Sequence, residues 1–171
     1  MDSLPVPVQS IITGYLSGIQ FKTVNPRKNA LGTWSYMKDY HEIVLNNDLT
    51  GIQFMLTLVH EIAHARTWDL FKGSVKPHGR EWKDQYRKLM LPLLQGYFDK
   101  FTDNTLTEYM KNPMARTNSS LHIRRLTSEG QLLVEDVPLG YFFSLKSGLV
   151  VKKIKKLRTR WLVEGKNGSY Y

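Results

Sequence analysis

Residues 58 to 65 read Leu58-Val59-His60-Glu61-Ile62-Ala63-His64-Ala65, a stretch with two histidines inside a longer apolar pattern. The apolar residues around it cover most of the circumference of a helix, which predicts a buried helix that begins after Thr50. Histidines four residues apart lie one turn apart on the same helix face, so His60 and His64 can direct two imidazoles at one metal ion. Glu61 lies about 100° round the helix from His60, which directs its carboxylate beside the ion. This H-E-x-x-H pattern predicts a hydrolytic metal centre with Glu61 as the catalytic carboxylate.

A catalytic metal centre of this kind needs a third protein ligand and one open position. The extended form of the motif, with glycine and histidine three and six residues further on, is excluded because Thr67 and Leu70 stand at those positions. Two carboxylates, Glu81 and Glu108, are possible ligands. His78 is the better candidate, because it follows a turn that contains glycine and proline and the next helix can fold it back over the first.

The composition narrows the choice of metal. The chain has 171 residues, a formal net charge of +9 and no cysteine. Disulfides, cysteine-ligated zinc fingers and thiol nucleophiles are therefore excluded, and a tight site has to use histidines and carboxylates, which suits one Zn²⁺ per chain. The first residues do not resemble a secretory signal, and no apolar run approaches the ~20 residues of a membrane helix. We therefore expect a cytoplasmic protein with no membrane partner.

The hydrophobic pattern predicts an α+β fold with two parts. The first, residues 1–118, would hold an opening helix, a small antiparallel sheet, the helix of the H-E-x-x-H motif and further helices before Pro92 and Pro113. The second, residues 119–171, would be a small β-rich module. Its predicted strands are Leu121 to Leu126, Gln131 to Val134, Tyr141 to Leu145, Leu149 to Ile154 and Arg158 to Val163. Strands of the first part are predicted at Ile19 to Val24, Trp34 to Met37 and Tyr40 to Leu45.

Three segments together resemble a known family. They are Leu45-Asn46 before the motif helix, His60 to Ala65 within it, and His78-Gly79-Arg80-Glu81-Trp82-Lys83 after it. With the last segment present, the chain over roughly residues 5 to 100 resembles the SprT-like (Spartan-related) zinc metalloprotease family. The resemblance implies a zincin-like domain with His60, His64 and His78 on zinc. It also implies Glu61 as general base and cleavage of DNA-associated or DNA-crosslinked proteins, which makes a peptide or protein the substrate.

The resemblance has two further consequences. Zincins receive the peptide along a sheet edge, and by analogy we expect Tyr40 to Leu45 to be that edge strand. Many SprT-like proteins also carry a cysteine zinc ribbon after the protease, which a chain without cysteine cannot form. The resemblance therefore implies the zinc site but not how this chain engages DNA.

A cationic run in the last third of the chain suggests a nucleic-acid partner. Residues 120 to 171 carry 10 basic and 4 acidic residues. Six cations within nine positions are the expected contacts to DNA phosphates, without base reading. They are Lys152, Lys153, Lys155, Lys156, Arg158 and Arg160. An edge strand protected from aggregation by lysines is the alternative.

Two other functions remain open at this stage: an inactive zincin fold that binds nucleic acid, and a cytosolic zinc peptidase with no role on DNA.

Among the remaining residues, Trp34, Trp68 and Trp82 are expected to be core anchors. His41 and His122 are expected to be packed or surface histidines rather than ligands. Asp69 and Glu81 are candidates for orienting a ligand imidazole by hydrogen bonding.

Overall fold

The chain divides into two units, Met1–Thr127 and Ser128–Tyr171. A computed structural model describes residues 3–115, 120–128 and 132–171. Within these ranges the architecture is α+β, with five α-helices and two three-stranded sheets. The boundary expected after residue 118 lies outside the described residues.

The sheet of the first unit is mixed. It contains β1 (Ile19–Val24), β2 (Gly32–Met37) and β3 (Tyr40–Asn46), in the order β1-β3-β2. Strand β3 pairs antiparallel with β2 but parallel with β1, so the expectation of an antiparallel sheet is wrong for one strand pair. Strand β3 lies at the centre of the sheet, with β1 and β2 on its two edges. Alternate residues of β3 are buried, including Ile43 and Leu45 with no exposed surface, because one face of the strand packs against helix α2 (Gly51–Phe71).

Helix α2 (Gly51–Phe71) packs beneath this sheet and carries the H-E-x-x-H motif. Twelve of its 21 residues are buried, which confirms the predicted core helix and its N-cap position at Thr50. The helix ends where Lys72 takes a left-handed conformation with φ 47° and its N–H bonds the carbonyl of Trp68. Gly73 follows with φ 81°, a conformation that favours glycine.

Three other helices complete most of the first unit: α1 (Val6–Tyr15), α3 (Arg80–Met90) and α4 (Lys100–Lys111). Helix α3 ends before Pro92, as expected, and continues as a 3₁₀ turn over Leu91–Leu93. Helix α4 begins at Lys100 because the Asp99 carboxylate accepts hydrogen bonds from two N–H groups of its first turn. In the described part of the chain, no helix combines the length and apolar character needed to cross a bilayer.

The strand predicted at Leu121 to Leu126 is wrong, because this segment forms helix α5 (Leu121–Thr127). Ile123 is fully buried in the core of the first unit, and Leu126, three residues later, packs against the same core. A spacing of three residues matches a helix rather than a strand, but a run of six residues is too short to establish it from sequence. The packing of Ile123 also explains why α5 belongs to the first unit.

The second unit contains an antiparallel sheet of β4 (Phe142–Ser144), β5 (Val150–Lys156) and β6 (Trp161–Gly165). Val151 and Val163 are buried on one face of it. The sheet confirms three of the five strands expected in this region, although β6 begins three residues later than predicted. Of the strand expected at Gln131 to Val134, Gln131 lies outside the described residues, and Val134–Asp136 form a 3₁₀ turn instead.

Candidate metal centre

Three imidazole nitrogens converge at one point of the first unit. His60 Nε2 and His64 Nε2 each lie 3.0 Å from His78 Nε2, and they lie 3.3 Å from one another. A ring nitrogen offers one lone pair or one N–H, so the three contacts cannot all be good hydrogen bonds. Three lone pairs directed at one cation suit this arrangement, since ligands ~2.05 Å from a tetrahedral Zn²⁺ lie ~3.3 Å apart. The three histidines could therefore hold a metal ion.

The two carboxylates considered as alternatives to His78 are absent from this cluster. Within the described residues, the group that could hold a metal consists of the three histidines alone. Glu108 lies on α4 and pairs with Lys111 at 2.6 Å. The structure thus brings together the three histidines that the sequence predicted as ligands.

The backbone before α3 places His78 in the cluster. His78 has φ 57°, a left-handed conformation that is uncommon for a residue with a side chain. The N–H of Gly79 donates to the carbonyl of Lys76 at 2.9 Å and closes a tight turn. A Cβ at Gly79 would lie 2.9 Å from that same carbonyl oxygen, so this turn has no room for a side chain. The glycine that follows His78 is therefore a geometric requirement of the turn.

Trp82 forms the floor of the histidine cluster. Its ring is fully buried, with centroids 4.6, 5.4 and 4.8 Å from those of His60, His64 and His78. Tyr86, one turn along α3, stacks on the far side of Trp82 at 5.1 Å. Trp82, which was expected from the sequence to be a core anchor, thus also limits how the three imidazoles can rotate.

Burial keeps the three histidines neutral. It lowers the pKa of His60 to about 3, with a further contribution from the charges that His64 and His78 would carry. It lowers the pKa of His64 to about 4, again with a contribution from His78, and it lowers the pKa of His78. Neutral imidazole is the form that binds a metal ion, so all three rings are available as ligands at neutral pH.

Glu61 is a buried carboxyl group with a pKa near neutrality. Burial raises its pKa to about 7, while the positive charge of Arg27 and a hydrogen bond from the backbone N–H of Trp34 oppose the rise. Glu61 and the three histidines line one cleft, and this cleft has a volume of about 770 Å³. A carboxyl group with this pKa can both accept and release a proton at neutral pH.

Arg27 is held near Glu61 by a polar network around Asn46. The guanidinium donates to Asn46 Oδ1 at 3.0 Å, to Thr33 Oγ1 at 3.1 Å and to the carbonyl of Val44 at 3.1 Å. The buried Asn46 amide donates in turn to the carbonyl of Ala30 at 3.1 Å. The Leu45-Asn46 pair noted in the sequence therefore fixes the segment that leads into β2.

The strand beside the cleft is β2 rather than the predicted Tyr40 to Leu45. That prediction is wrong because β3, which contains those residues, has partners on both edges. Strand β2 pairs only with β3 in the described sheet, and Gly32 to Trp34 line the cleft. A Cβ at Gly32 would lie 2.8 Å from Thr57 Cγ2 and 3.0 Å from Glu61 Cγ, so α2 and β2 approach closely there.

Trp34 and its neighbours are the site residues that sequence reasoning missed. The Trp34 ring stacks on His64, with centroids 5.9 Å apart and an interplanar angle of 17°. Its indole N–H donates to His41 Nδ1, and His41 Nε2 bonds Asp69. Asp69 thus binds a histidine outside the cluster rather than a ligand imidazole. The sequence feature that could have indicated them is the alternation of Gly32, Trp34 and Tyr36, which places these residues on one face of a short strand.

The cationic run of the second unit is divided between the surface and the interior. Lys155, Lys156, Arg158 and Arg160 are exposed, and Lys152 is partly buried. Lys153 is only 2% exposed, so the prediction that it contacts nucleic acid is wrong. Its ammonium group donates to the carbonyls of Glu135 at 3.2 Å and Val137 at 2.5 Å and lies 3.7 Å from the Trp161 ring centroid.

The positions of the last two arginines also differ from expectation. Arg158 and Arg160 were predicted to lie within a strand over Arg158 to Val163, but they lie in the connection between β5 and β6. The N–H of Leu157 donates to the carbonyl of Arg160 at 2.8 Å and closes this connection. Both side chains remain exposed at the end of the hairpin.

Two comparisons with known proteins bear on the site. A sequence model described as the SprT-like family matches residues 12–102, a range that contains the histidine cluster, Glu61 and strand β2. No protein among the curated ones compared with the chain matches it.

Proposed function

The chain belongs to the SprT-like family, and we propose that it is a zinc-dependent metalloendopeptidase with a zincin-like catalytic domain. The observation that carries the proposal is the convergence of three neutral imidazoles beside a buried carboxyl group of near-neutral pKa. SprT-like domains are associated with metallopeptidases, which favours peptide bonds as the substrate.

The donor set favours zinc. Three imidazole nitrogens with one open position are a common catalytic zinc environment, and the chain has no cysteine to complete a closed structural site. Zinc held there supplies Lewis-acid chemistry: it polarises a scissile carbonyl and makes water acidic near neutral pH. His60 and His64 from α2 and His78 from the turn before α3 would hold it.

Glu61 performs the proton transfers in this proposal. Its carboxylate accepts a proton from the attacking water and, as a carboxylic acid, donates one to the leaving amine nitrogen. In the metal-free protein its pKa is about 7, so this carboxyl group gains and loses a proton within the neutral range. Arg27 and the Trp34 N–H favour the ionised form and keep the pKa from rising further.

Strand β2 is the proposed docking edge for the peptide. Its edge opposite β3 has no strand partner among the described residues, and it borders the cleft next to Glu61. An extended substrate can add to such an edge through main-chain hydrogen bonds, which place its backbone without demanding particular side chains. This mode suits a peptidase of broad sequence tolerance.

Metal content and cleavage test the catalytic proposal. We expect about one zinc per purified chain, cleavage of casein by the wild type, and at least 100-fold slower cleavage by Glu61→Gln with its zinc retained. Glu108→Gln is the matched control, because Glu108 lies on α4 outside the histidine cluster and pairs with Lys111, and it should cleave normally. Normal cleavage by Glu61→Gln would rule out Glu61 as the proton acceptor. Full zinc content in His78→Ala would exclude His78 as a ligand.

We further propose that the substrates are DNA-associated or DNA-crosslinked proteins and that the second unit binds DNA without sequence specificity. Residues 128–171 carry 8 basic and 4 acidic residues, a net charge of +4. The cations Lys155, Lys156, Arg158 and Arg160 are exposed toward solvent. Phe142 is 60% exposed on a strand next to Lys152, whose ammonium lies 5.9 Å from its ring centroid.

The salt dependence of DNA binding tests this partner. Replacing the four exposed cations by glutamine should weaken binding and reduce the slope of log K against log salt by about 3 to 4, if each contacts a phosphate. The control replaces Lys100 and Lys111 of α4, which should change the slope little. Absence of DNA binding by the wild type at low salt would leave a zinc peptidase with no role on DNA. DNA binding without Glu61-dependent cleavage would identify an inactive zincin fold that binds nucleic acid.

A further inference from the structure

Trp34, His41 and Asp69 form a hydrogen-bonded chain beside the metal centre. Trp34 Nε1 donates to His41 Nδ1 at 3.1 Å, and His41 Nε2 lies 2.9 Å from Asp69 Oδ1. Because Nδ1 accepts a hydrogen bond, the imidazole proton resides on Nε2 and is donated to the Asp69 carboxylate. The chain thus fixes the tautomer of His41 and the orientation of the indole.

The three residues connect three elements. Trp34 lies on β2, His41 at the start of β3 and Asp69 near the end of α2, five residues after His64. His41 is 8% exposed and contacts the rings of both Trp34 and Tyr36. A buried imidazole costs free energy unless it is hydrogen bonded, and here both of its nitrogens are.

Trp34 also contacts both parts of the proposed catalytic machinery. Its ring lies on His64 at 5.9 Å, and its backbone N–H donates to the Glu61 carboxylate. Two residues earlier on β2, Gly32 lies against Glu61 and Thr57 of α2. One short strand therefore contacts the side chains of both Glu61 and His64 and can hold their orientations on α2.

We propose that Trp34 is a positioning residue for the metal centre and that His41 and Asp69 act through it. Held by His41, the indole keeps β2, the His64 ring and the Glu61 carboxylate in fixed relation, so that a peptide on β2 lies correctly against the ion. The kinetic part of this inference rests on the proposed peptidase function, whereas the arrangement of the side chains does not.

Simple core packing is the alternative, and Trp34→Phe separates the two. Phenylalanine keeps an aromatic ring over His64 but has no N–H to donate to His41. A packing role predicts little change in kcat or KM. A positioning role predicts that kcat falls about 5- to 10-fold while KM changes less than ~2-fold, because alignment of the substrate rather than its binding is lost. The pair Asp69→Asn and Asp69→Ala is the second comparison. Asparagine retains an oxygen that accepts from His41 and should rescue most of the kcat that alanine loses.

Two measurements do not require catalysis. In metal-free protein labelled with ¹⁵N on tryptophan, the Trp34 indole signal, assigned by its loss in Trp34→Phe, should shift in Asp69→Ala and stay near its wild-type position in Asp69→Asn. In protein loaded with Co²⁺, Trp34→Phe and Asp69→Ala should alter the visible absorption spectrum because the His64 ring is no longer held. Far-ultraviolet circular dichroism establishes that each variant is folded.

The outcomes separate this inference from the proposed function. Wild-type kcat and an unchanged cobalt spectrum in both Trp34→Phe and Asp69→Ala would overturn the positioning role. If the wild type cleaves no peptide but the indole and cobalt signals change as expected, the positioning role stands and the peptidase proposal fails. If Asp69→Asn is as impaired as Asp69→Ala, His41 does not act through a hydrogen bond to this carboxylate, and the inference is wrong.

Discussion

Gly79→Ala is expected to weaken metal binding without unfolding the protein. The added Cβ would lie 2.9 Å from the Lys76 carbonyl oxygen, whereas ordinary contact begins near 3.4 Å, so the backbone has to move by about 0.5 Å. His78, the adjacent residue, moves with it. Ligand distances in metal sites are held to within about 0.2 Å, so a displacement of this size disturbs coordination. We expect a 10- to 100-fold loss of zinc affinity, the range seen when groups that orient ligands are changed.

Competition with a chromophoric chelator measures this loss on the purified metal-free protein. Gly14→Ala is the matched control, because Gly14 lies within α1 and a Cβ there meets nothing within 4 Å. That variant should bind zinc like the wild type and be slightly more stable, by up to ~1 kcal/mol, since alanine favours a helix. Zinc affinity within about twofold of the wild type for Gly79→Ala would refute the reasoning, because His78 would then not depend on the turn.

Three further predictions concern charge and hydrogen bonding. In metal-free protein, the free energy of unfolding should fall as pH rises from 4.5 to about 7, because the pKa of Glu61 is raised in the folded state and the folded protein holds the proton longer. Glu61→Gln should remove ~3 kcal/mol of this loss. Thermal unfolding of the two proteins at pH 5 and at pH 8 measures the difference. Lys153→Met should destabilise the second unit by ~2–4 kcal/mol in urea unfolding, because two backbone carbonyls lose their donor, whereas Lys155→Met should have little effect. Asn46→Ala should lower kcat several-fold with zinc content unchanged, because Arg27 is freed from its position near Glu61. Unchanged kinetics would show that the hydrogen bonds of Arg27 do not influence the Glu61 carboxylate.

The histidine cluster could be predicted because its determinants are local in sequence. Helical spacing alone places His60 and His64 together, and the Gly- and Pro-containing turn returns His78 within 18 residues of His60. The same holds for the long helices, whose apolar periodicity extends over several turns. The positive φ of His78 and the clash at Gly79 required the structure, because they depend on the carbonyl of Lys76.

Features that depend on pairing between distant segments were not predictable. Nothing in the sequence of β1 indicates whether it pairs parallel or antiparallel, and β3 was assigned to an edge although it is central. Trp34 was expected to be a core anchor because the partners of its indole, His41 on β3 and His64 on α2, lie 7 and 30 residues away in the sequence. Lys153 was assigned to the surface because it stands in a run of charged residues. Such a run gives no sign of the alternation of buried and exposed positions along β5, which places the ammonium group of Lys153 in the interior.

His64 and His78 are 14 positions apart in the sequence, and this spacing has a mechanical consequence in a protein without cysteine. An ion bound by both would close a chain loop of the size that a disulfide commonly closes, which in the chain-entropy account stabilises a folded protein by ~3 kcal/mol. It would tie the interior of α2 to the turn before α3 through a link that a chelator removes and added metal restores. The same three side chains would then serve as a reversible cross-link, so loss of the ion would loosen the connection between α2 and α3 as well as remove the proposed catalytic metal.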